Sequence, residues 1–132
     1  IEALGEKERK LFNDLKSLNN QLSSYYLLKW KRSLPFSEMI SNRWEKASNL
    51  KFGNGTSIYD DTLVLGEVTV GQKTWIGPYV ILDGSGKLNI GNNCSISAGV
   101  HIYTHNSVKW AVSGGKAPYD YLPTTIGNNC FI

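Results

Sequence analysis

The sequence predicts a mainly β fold, a left-handed parallel β-helix in the form of a triangular prism, preceded by a helical N-terminal segment. Three observations predict it. Read from Val64, an aliphatic residue opens each six-residue unit at Val64, Val70, Ile76 and Leu82, resumes after two extra residues at Ile90, Ile96 and Ile102, and returns at Ile126 and Ile132. Glycine follows the aliphatic at Gly71, Gly77, Gly91 and Gly127. A small or β-branched residue stands four places after it at Val68, Thr74, Val80, Cys94, Val100 and Cys130. The period-two alternation of an ordinary β-sandwich is missing.

The period has a geometric meaning. Each unit supplies one short flat side and one corner, and three units make one circuit. The opening aliphatic points inward and stacks on its equivalents. Gly or Asn at the corner admits a positive φ. Cys94 and Cys130 both close the phrase Ile-Gly-Asn-Asn-Cys. They read as small apolar fillers rather than as a disulfide framework or a catalytic thiol.

The repeat occupies residues 57–132, and residues 1–56 read differently. Over 5–30 a helix is expected, because Leu11, Leu15, Leu18, Leu22 and Tyr25 recur at alternating spacings of four and three. The stripe is too short for a solitary coiled coil, so it is expected to pack on the rest of the protein or on a neighbouring subunit. Pro35 stops this helix. Ser37 is placed to cap a second one over 37–48, with Phe36, Ile40 and Trp44 on one face. Lys29, Lys31 and Arg32 read as a solvated helix end. Gly53, Asn54, Gly55 and Thr56 form a turn before the repeat begins.

Composition sets wider bounds. The 132 residues suit one modest domain, and 13 glycines without a triplet period suit repeated tight turns. The net charge of +3 permits an anionic partner without demanding one, and no nucleic acid is expected. No apolar run approaches the roughly 20 residues of a membrane span. No secretory signal is visible. A cytoplasmic protein is therefore expected. The chain starts at Ile1 and stops at Ile132 just after a repeat unit opens, so a chain cut short at its C-terminal end is expected too.

Chemistry is expected where the period fails, because extra residues must loop out of the wall. The first interruption is Leu82-Asp83-Gly84-Ser85-Gly86-Lys87-Leu88-Asn89. The second runs from about Thr104 to Thr125 and holds His105, Trp110, Lys116, Tyr119, Asp120 and Tyr121. The only histidines, His101 and His105, stand at its entrance.

Four phrases then carry a family resemblance. They are Ile81-Leu82-Asp83, Ile90-Gly91-Asn92-Asn93-Cys94, the run from Gly99 to His105, and the run from Pro123 to Ile132. Together they resemble the hexapeptide O-acetyltransferases of the maltose and galactoside type. They are also similar to the bacterial enzymes that acetylate polysaccharide and lipopolysaccharide sugars. The resemblance covers roughly residues 57–132 and leaves out the helical segment.

It implies acetyl transfer from acetyl-CoA to a sugar hydroxyl in a homotrimer, with each site between subunits. His105 would be the general base, since neutral imidazole accepts a hydroxyl proton near pH 7. His101, one residue before inward Ile102, is the competing candidate. Asp83 would bind a sugar hydroxyl or orient the histidine, although Asp-Gly also suits a plain turn. Asn106, where relatives often carry Asp or Pro, would fall on the substrate side, and its amide can still orient the imidazole. Tyr103 and Trp110 would stack on a sugar or line the acyl-CoA cleft, or simply pack. Lys116 and Phe131 fall on the acetyl-CoA side, and much of the CoA groove would lie in repeats beyond Ile132. Two other readings stay open: N-acetylation of an amino sugar nucleotide, and a non-catalytic hexapeptide-repeat assembly protein. A metal-dependent lyase on the same prism needs three histidines per site and this chain has two, so no metal is expected.

Overall fold

A computed structural model describes all of residues 1–132. The chain divides into two compact units, Ile1–Ser41 and Asn42–Ile132.

The first unit contains α1 (Glu6–Trp30) and α2 (Phe36–Met39). Glu6 and Glu8 lie in the first turn of α1 and Lys29 in its last, each complementing the helix dipole. Lys31 closes α1 in the left-handed region, with its N–H donating to the Leu27 carbonyl. The Tyr26 hydroxyl donates to the Met39 carbonyl at 3.4 Å and ties α2 to α1. No residue of α1 is buried. Leu11, Leu15, Leu18 and Tyr25 of the stripe are exposed along this helix, and Leu22 is partly buried. Lys29 hydrogen-bonds the Tyr25 hydroxyl and lies over the Trp30 ring, as suits a solvated helix end.

The single helix expected over 37–48 is two. The second, α3 (Arg43–Asn49), starts afresh because Asn42 Oδ1 accepts the N–H groups of Trp44 and Glu45, each at 3.0 Å. Ser37 is not a cap, since Pro35 holds that position. The compact units divide at Ser41, not near residue 56, because α3 belongs with the strands. Ala47 joins their core, and Lys46 Nζ donates to the carbonyls of Tyr59, Asp60 and Thr62.

The strands of the second unit are β1 (Ser57–Ile58), β2 (Leu63–Val70), β3 (Trp75–Ile76), β4 (Ile81–Ile90), β5 (Ser95–Ile96), β6 (His101–Ile102), β7 (His105–Asn106), β8 (Asp120–Tyr121) and β9 (Thr124–Ile126), with α4 (Val108–Val112) between β7 and β8. Three sheets result. One is parallel in the order β1-β3-β5. The second is parallel in the order β2-β4-β6, with β9 also on β4. The third is the antiparallel pair β7-β8. Ladder partners match the repeat openers: Val64 pairs with Leu82, Leu82 with Ile102, Val70 with Ile90, and Ile90 with Ile126.

The mainly β, left-handed prism expected from this period is not what the chain forms. The structure is mixed, 31% helical and 26% strand, in short parallel and antiparallel sheets, none closed or solenoidal. The physical reason is that a six-residue period fixes which side chains face inward and which residues pair. It does not fix how much of the chain obeys it. Six of the nine strands are only two residues long. The helical segment and the second interruption, with its own helix and antiparallel pair, take much of the chain outside the pattern.

Inside the ladders the period is a burial pattern. Ile58, Ile76, Val80, Leu82, Leu88 and Ile96 are fully buried in one cluster, with Val70, Ile90 and Cys94 beside them. Val64, Ile102 and Ile126 are partly buried against it, and Ile132 is 39% exposed. Both cysteines are free, and the buried Cys94 is the filler expected.

None of the glycines after the aliphatics has a positive φ, and at Gly71, Gly77 and Gly91 the reason is close approach, while Gly127 has open space around it. A Cβ on Gly71 would collide with Asn92 Oδ1, and one on Gly91 with Asn128 Oδ1. Those amides earn their closeness by accepting the Gln72 and Asn92 N–H groups, each at 2.7 Å. The left-handed corners fall instead on Lys73, Tyr79, Asn93, Asn129 and Gly99.

The buried small residues do more than fill space. Thr56 Oγ1 donates to the Gly71 carbonyl at 2.6 Å and accepts the Thr74 N–H. Thr74 Oγ1 donates to the Gly91 carbonyl and accepts the Cys94 N–H, and the Cys94 thiol donates to the Gly127 carbonyl. Each satisfies buried backbone groups that no strand partner reaches. Thr74→Val keeps the shape and removes both bonds. It should lower stability by about 1–3 kcal/mol, whereas exposed Thr69→Val should change it by less than about 0.5 kcal/mol. Urea unfolding midpoints of the two variants check this, and equal midpoints would contradict it.

Candidate functional site

The site begins at the first interruption. Opposite β2, β4 runs in register as far as Gly66 against Gly84, then resumes at Val68 against Leu88. Three residues of β4 therefore face one of β2. This bulge, Ser85-Gly86-Lys87, is closed by Lys87 in the left-handed region. It leaves Asp83 just before a local swelling of the strand, with its carboxylate turned back onto the chain.

Asp83 is 3% exposed, and donors surround it. Its Oδ1 accepts the Ser85 N–H at 3.1 Å, an Asx turn. Its Oδ2 accepts the Thr104 N–H at 2.9 Å, the Ser85 hydroxyl at 3.1 Å and the His105 Nδ1–H at 2.5 Å. Burial alone pushes the Asp83 carboxyl upward. The Thr104 N–H, His105 and the two Ser85 donors outweigh it and hold the group well below the usual carboxylate range.

Thr104 fastens the next layer to the bulge. Its hydroxyl donates to the Asp83 carbonyl at 2.9 Å and accepts the Gly86 N–H at 2.7 Å. Gly86 must lack a side chain, because a Cβ there would strike the Thr104 carbonyl oxygen and the Leu122 nitrogen. Thr104 is thereby fixed, and His105 follows it on β7 with its side chain 32% exposed.

An ionised carboxylate only accepts, so the imidazole carries its proton on Nδ1 and its lone pair on Nε2. That lone pair belongs to a half-exposed ring beside a cavity of about 520 Å³. Tyr103, His105, Asn106, Lys109, Asp120, Tyr121 and Leu122 line the cavity, with Thr104 and Thr124. Aromatic rings crowd the histidine. Tyr119 stacks on it at 6.0 Å and 14° between planes, and Tyr103 meets it edge-on at 5.9 Å. Lys109 pairs with Asp120 at 3.4 Å on the cavity wall.

The structure brings some sequence candidates together and separates others. His105, Asp83 and Tyr103 share the site. Asp83 is enclosed by chain donors, so the sugar-binding role considered for it gives way to the orienting one; the turn role holds as well. Asn106 lines the cavity, but its Oδ1 accepts the Val108 N–H at 2.8 Å, so it shapes the start of α4 and does not orient the imidazole. Trp110 lies outside the lining and packs edge-on against Tyr119 at 5.8 Å. His101 is exposed and meets the Tyr103 hydroxyl at 3.4 Å. Lys116 and Phe131 are not on the cavity; Phe131 is 80% exposed beside Ser95. Ser85 and Thr104 were not singled out by the sequence, although Asp-x-Ser is a recognisable Asx-turn spacing.

The Asp83 shift carries a stability consequence. Its folded-state pKa lies below the roughly 3.9 of an unfolded Asp, so the unfolded chain binds the proton more readily. The stabilisation is complete above the unfolded value and is lost as pH falls through the folded one. Asp83→Asn should therefore cost about 1.5–3 kcal/mol at pH 7. Its deficit against wild type should shrink below about pH 4. Urea titrations at pH 7, 5 and 3 read this, and parallel profiles would count against it.

No protein-family model matches the chain, and no curated protein matches it.

Proposed function

We propose that the protein is an acyltransferase that moves an acetyl group from acetyl-CoA to a hydroxyl of a sugar or polysaccharide precursor, with His105 as general base. The observation that carries this reading is the Asp83–His105 pair at 2.5 Å, beside an aromatic-rich cavity. Asp83 holds the ring as the Nδ1–H tautomer, and Nε2 takes the proton of the acceptor hydroxyl. The charge that then develops on the imidazole lies against an ionised carboxylate. Bound acetyl-CoA would supply the thioester carbonyl that the hydroxyl attacks. Transfer would be direct: the acceptor C–O bond forms as the thioester C–S bond breaks, and the proton taken by Nε2 passes to the departing CoA sulfur, so no Ser or Cys nucleophile is needed.

Tyr103 and Tyr121 offer flat apolar faces to a sugar ring, while the Lys109–Asp120 pair offers a donor and an acceptor to its hydroxyls. The resemblance of the runs around Asp83 and His105 to sugar O-acetyltransferases supports the same acceptor class. The residues fit the reacting end of the donor better than its nucleotide. Lys116 and Phe131 lie off the cavity, and the cavity's lysine is already paired. In this proposal a neighbouring subunit of a homotrimer completes the nucleotide end. No helix is long and apolar enough to cross a membrane, and the reaction is assigned to the cytoplasm, where free thiols such as Cys94 and Cys130 persist.

Acetyl-CoA consumption measured across a panel of sugars, amino sugars and sugar nucleotides tests the reading. A sugar hydroxyl should be acetylated, and His105→Ala should lower kcat by about 10²- to 10⁴-fold. Undiminished turnover in His105→Ala would remove the base assignment. Transfer confined to amino sugars would favour N-acetylation. Absence of transfer to any acceptor would favour a non-catalytic assembly protein.

A further inference from the structure

Nδ1 of His105 meets the Asp83 carboxylate at 2.5 Å and the Ser85 hydroxyl at 3.2 Å. Both contacts act at one edge of the ring, and the imidazole can still rock about that edge unless something holds its faces. Tyr119 does so. It reaches back from the far end of the second interruption and lies nearly parallel to the imidazole, 14° between planes at 6.0 Å between centroids. Tyr103 meets the same ring edge-on at 88°, so the two contacts act on it in different directions.

Tyr119 is itself held. Trp110, on α4, packs against it at 5.8 Å and 71°, and Tyr121, on β8, lies beside it at 6.3 Å and 26°. The β7–β8 pairing of His105 with Tyr121 fixes how far Tyr119 reaches. A sequence of supports therefore runs from Trp110 to Tyr119 to His105. We infer that Tyr119 is a positioning residue that sets the plane of the His105 imidazole, backed by Trp110, so that Nε2 stays aimed at the cavity. The inference rests on the proposed role of His105 as base. Trp110 in this arrangement serves the histidine rather than a sugar.

Two readings of the full chain test it. In acetyl transfer, Tyr119→Ala and Tyr119→Leu should lower kcat by about 10- to 100-fold with KM for acceptor and acetyl-CoA little changed, as expected when a base is misaimed. Tyr119→Phe should keep nearly full kcat, because the ring face acts and the hydroxyl does not. In NMR spectra, the ring-current shift of the His105 ring protons should be the same in wild type and Tyr119→Phe and should change in Tyr119→Leu, where only Tyr103 and Tyr121 remain beside the ring. Wild-type kcat in Tyr119→Leu would overturn the inference, as would a Phe variant as impaired as the Ala one. Should no acetyl transfer occur in any variant, the proposed function fails, and the ring-current shift alone decides whether Tyr119 holds the imidazole. Should Tyr119→Ala not fold, the Leu and Phe pair carries both readings.

Discussion

The in-register parallel ladder is the constraint from which the rest follows. Parallel partners cannot be joined by a two-residue turn, so each residue must find its partner well along the chain. Here it lies 18 residues on where the period is unbroken, 20 where two residues are added and 36 across the second interruption. Stacking at that separation brings equivalent residues of successive repeats face to face. Aliphatics then meet aliphatics in the core, and the small polar residues Thr56, Thr74 and Cys94 each reach the backbone of the next layer. Glycine becomes obligatory at Gly71 and Gly91 because an amide from the next layer occupies the space of a Cβ. Lys46 extends the same logic to the first layer, where three carbonyls receive its ammonium group.

The site arises where this register is forced to slip. The three-against-one bulge of β4 cannot be absorbed without turning part of the strand aside, and Asp83 uses that slack to fold its carboxylate back. Burying an ionised group is unfavourable unless donors surround it. Ser85 provides two, both by virtue of standing two residues on. Thr104 and His105 provide the others from the next layer, and they can do so because Gly86 lets the Thr104 backbone approach. One slip in register thus yields a buried anion, a fixed tautomer and a half-exposed imidazole.

Much of this was legible in the sequence, and what was not has physical causes. The repeat phase identified the inward residues from Val70 to Ile96 and the ladder partners, because both follow from a period. It overstated the architecture, because a period is silent about closure and about residues outside it. The interruptions were visible as failures of phase, and His105 and Asp83 lie in them. Asp83 carried three sequence readings, sugar contact, histidine partner and turn residue, and the period could not choose among them, because the contact with His105 crosses layers. Left-handed corners at Lys73 and Tyr79 were hidden, since neither residue type advertises a positive φ. The break between α2 and α3 rests on one Asn42 side chain, which a 3.6-residue pattern overrides on paper but not in a folded chain. Trp110, Lys116 and Phe131 look alike from sequence, as exposed residues near a candidate base. Only their placement separates a support for Tyr119 from residues away from the cavity.

A general base of this kind needs two environments that conflict. Its carboxylate must be enclosed, so that water does not compete for the imidazole N–H. Its far nitrogen must stay open to an acceptor. The regular ladders supply the first environment and cannot supply the second, because their inward positions are sealed and their outward ones are flat. The second interruption supplies openness and cannot by itself hold a buried charge. Thr104 and His105 are the residues at which the two meet. The parallel ladder on β4 stops at Ile102, the Thr104 main chain joins the Asp83 network, and His105 opens β7. His105 thus stands three residues past the end of that ladder and is still within reach of the Asp83 network. Placed further along the loop, the imidazole would lose the carboxylate that fixes its tautomer.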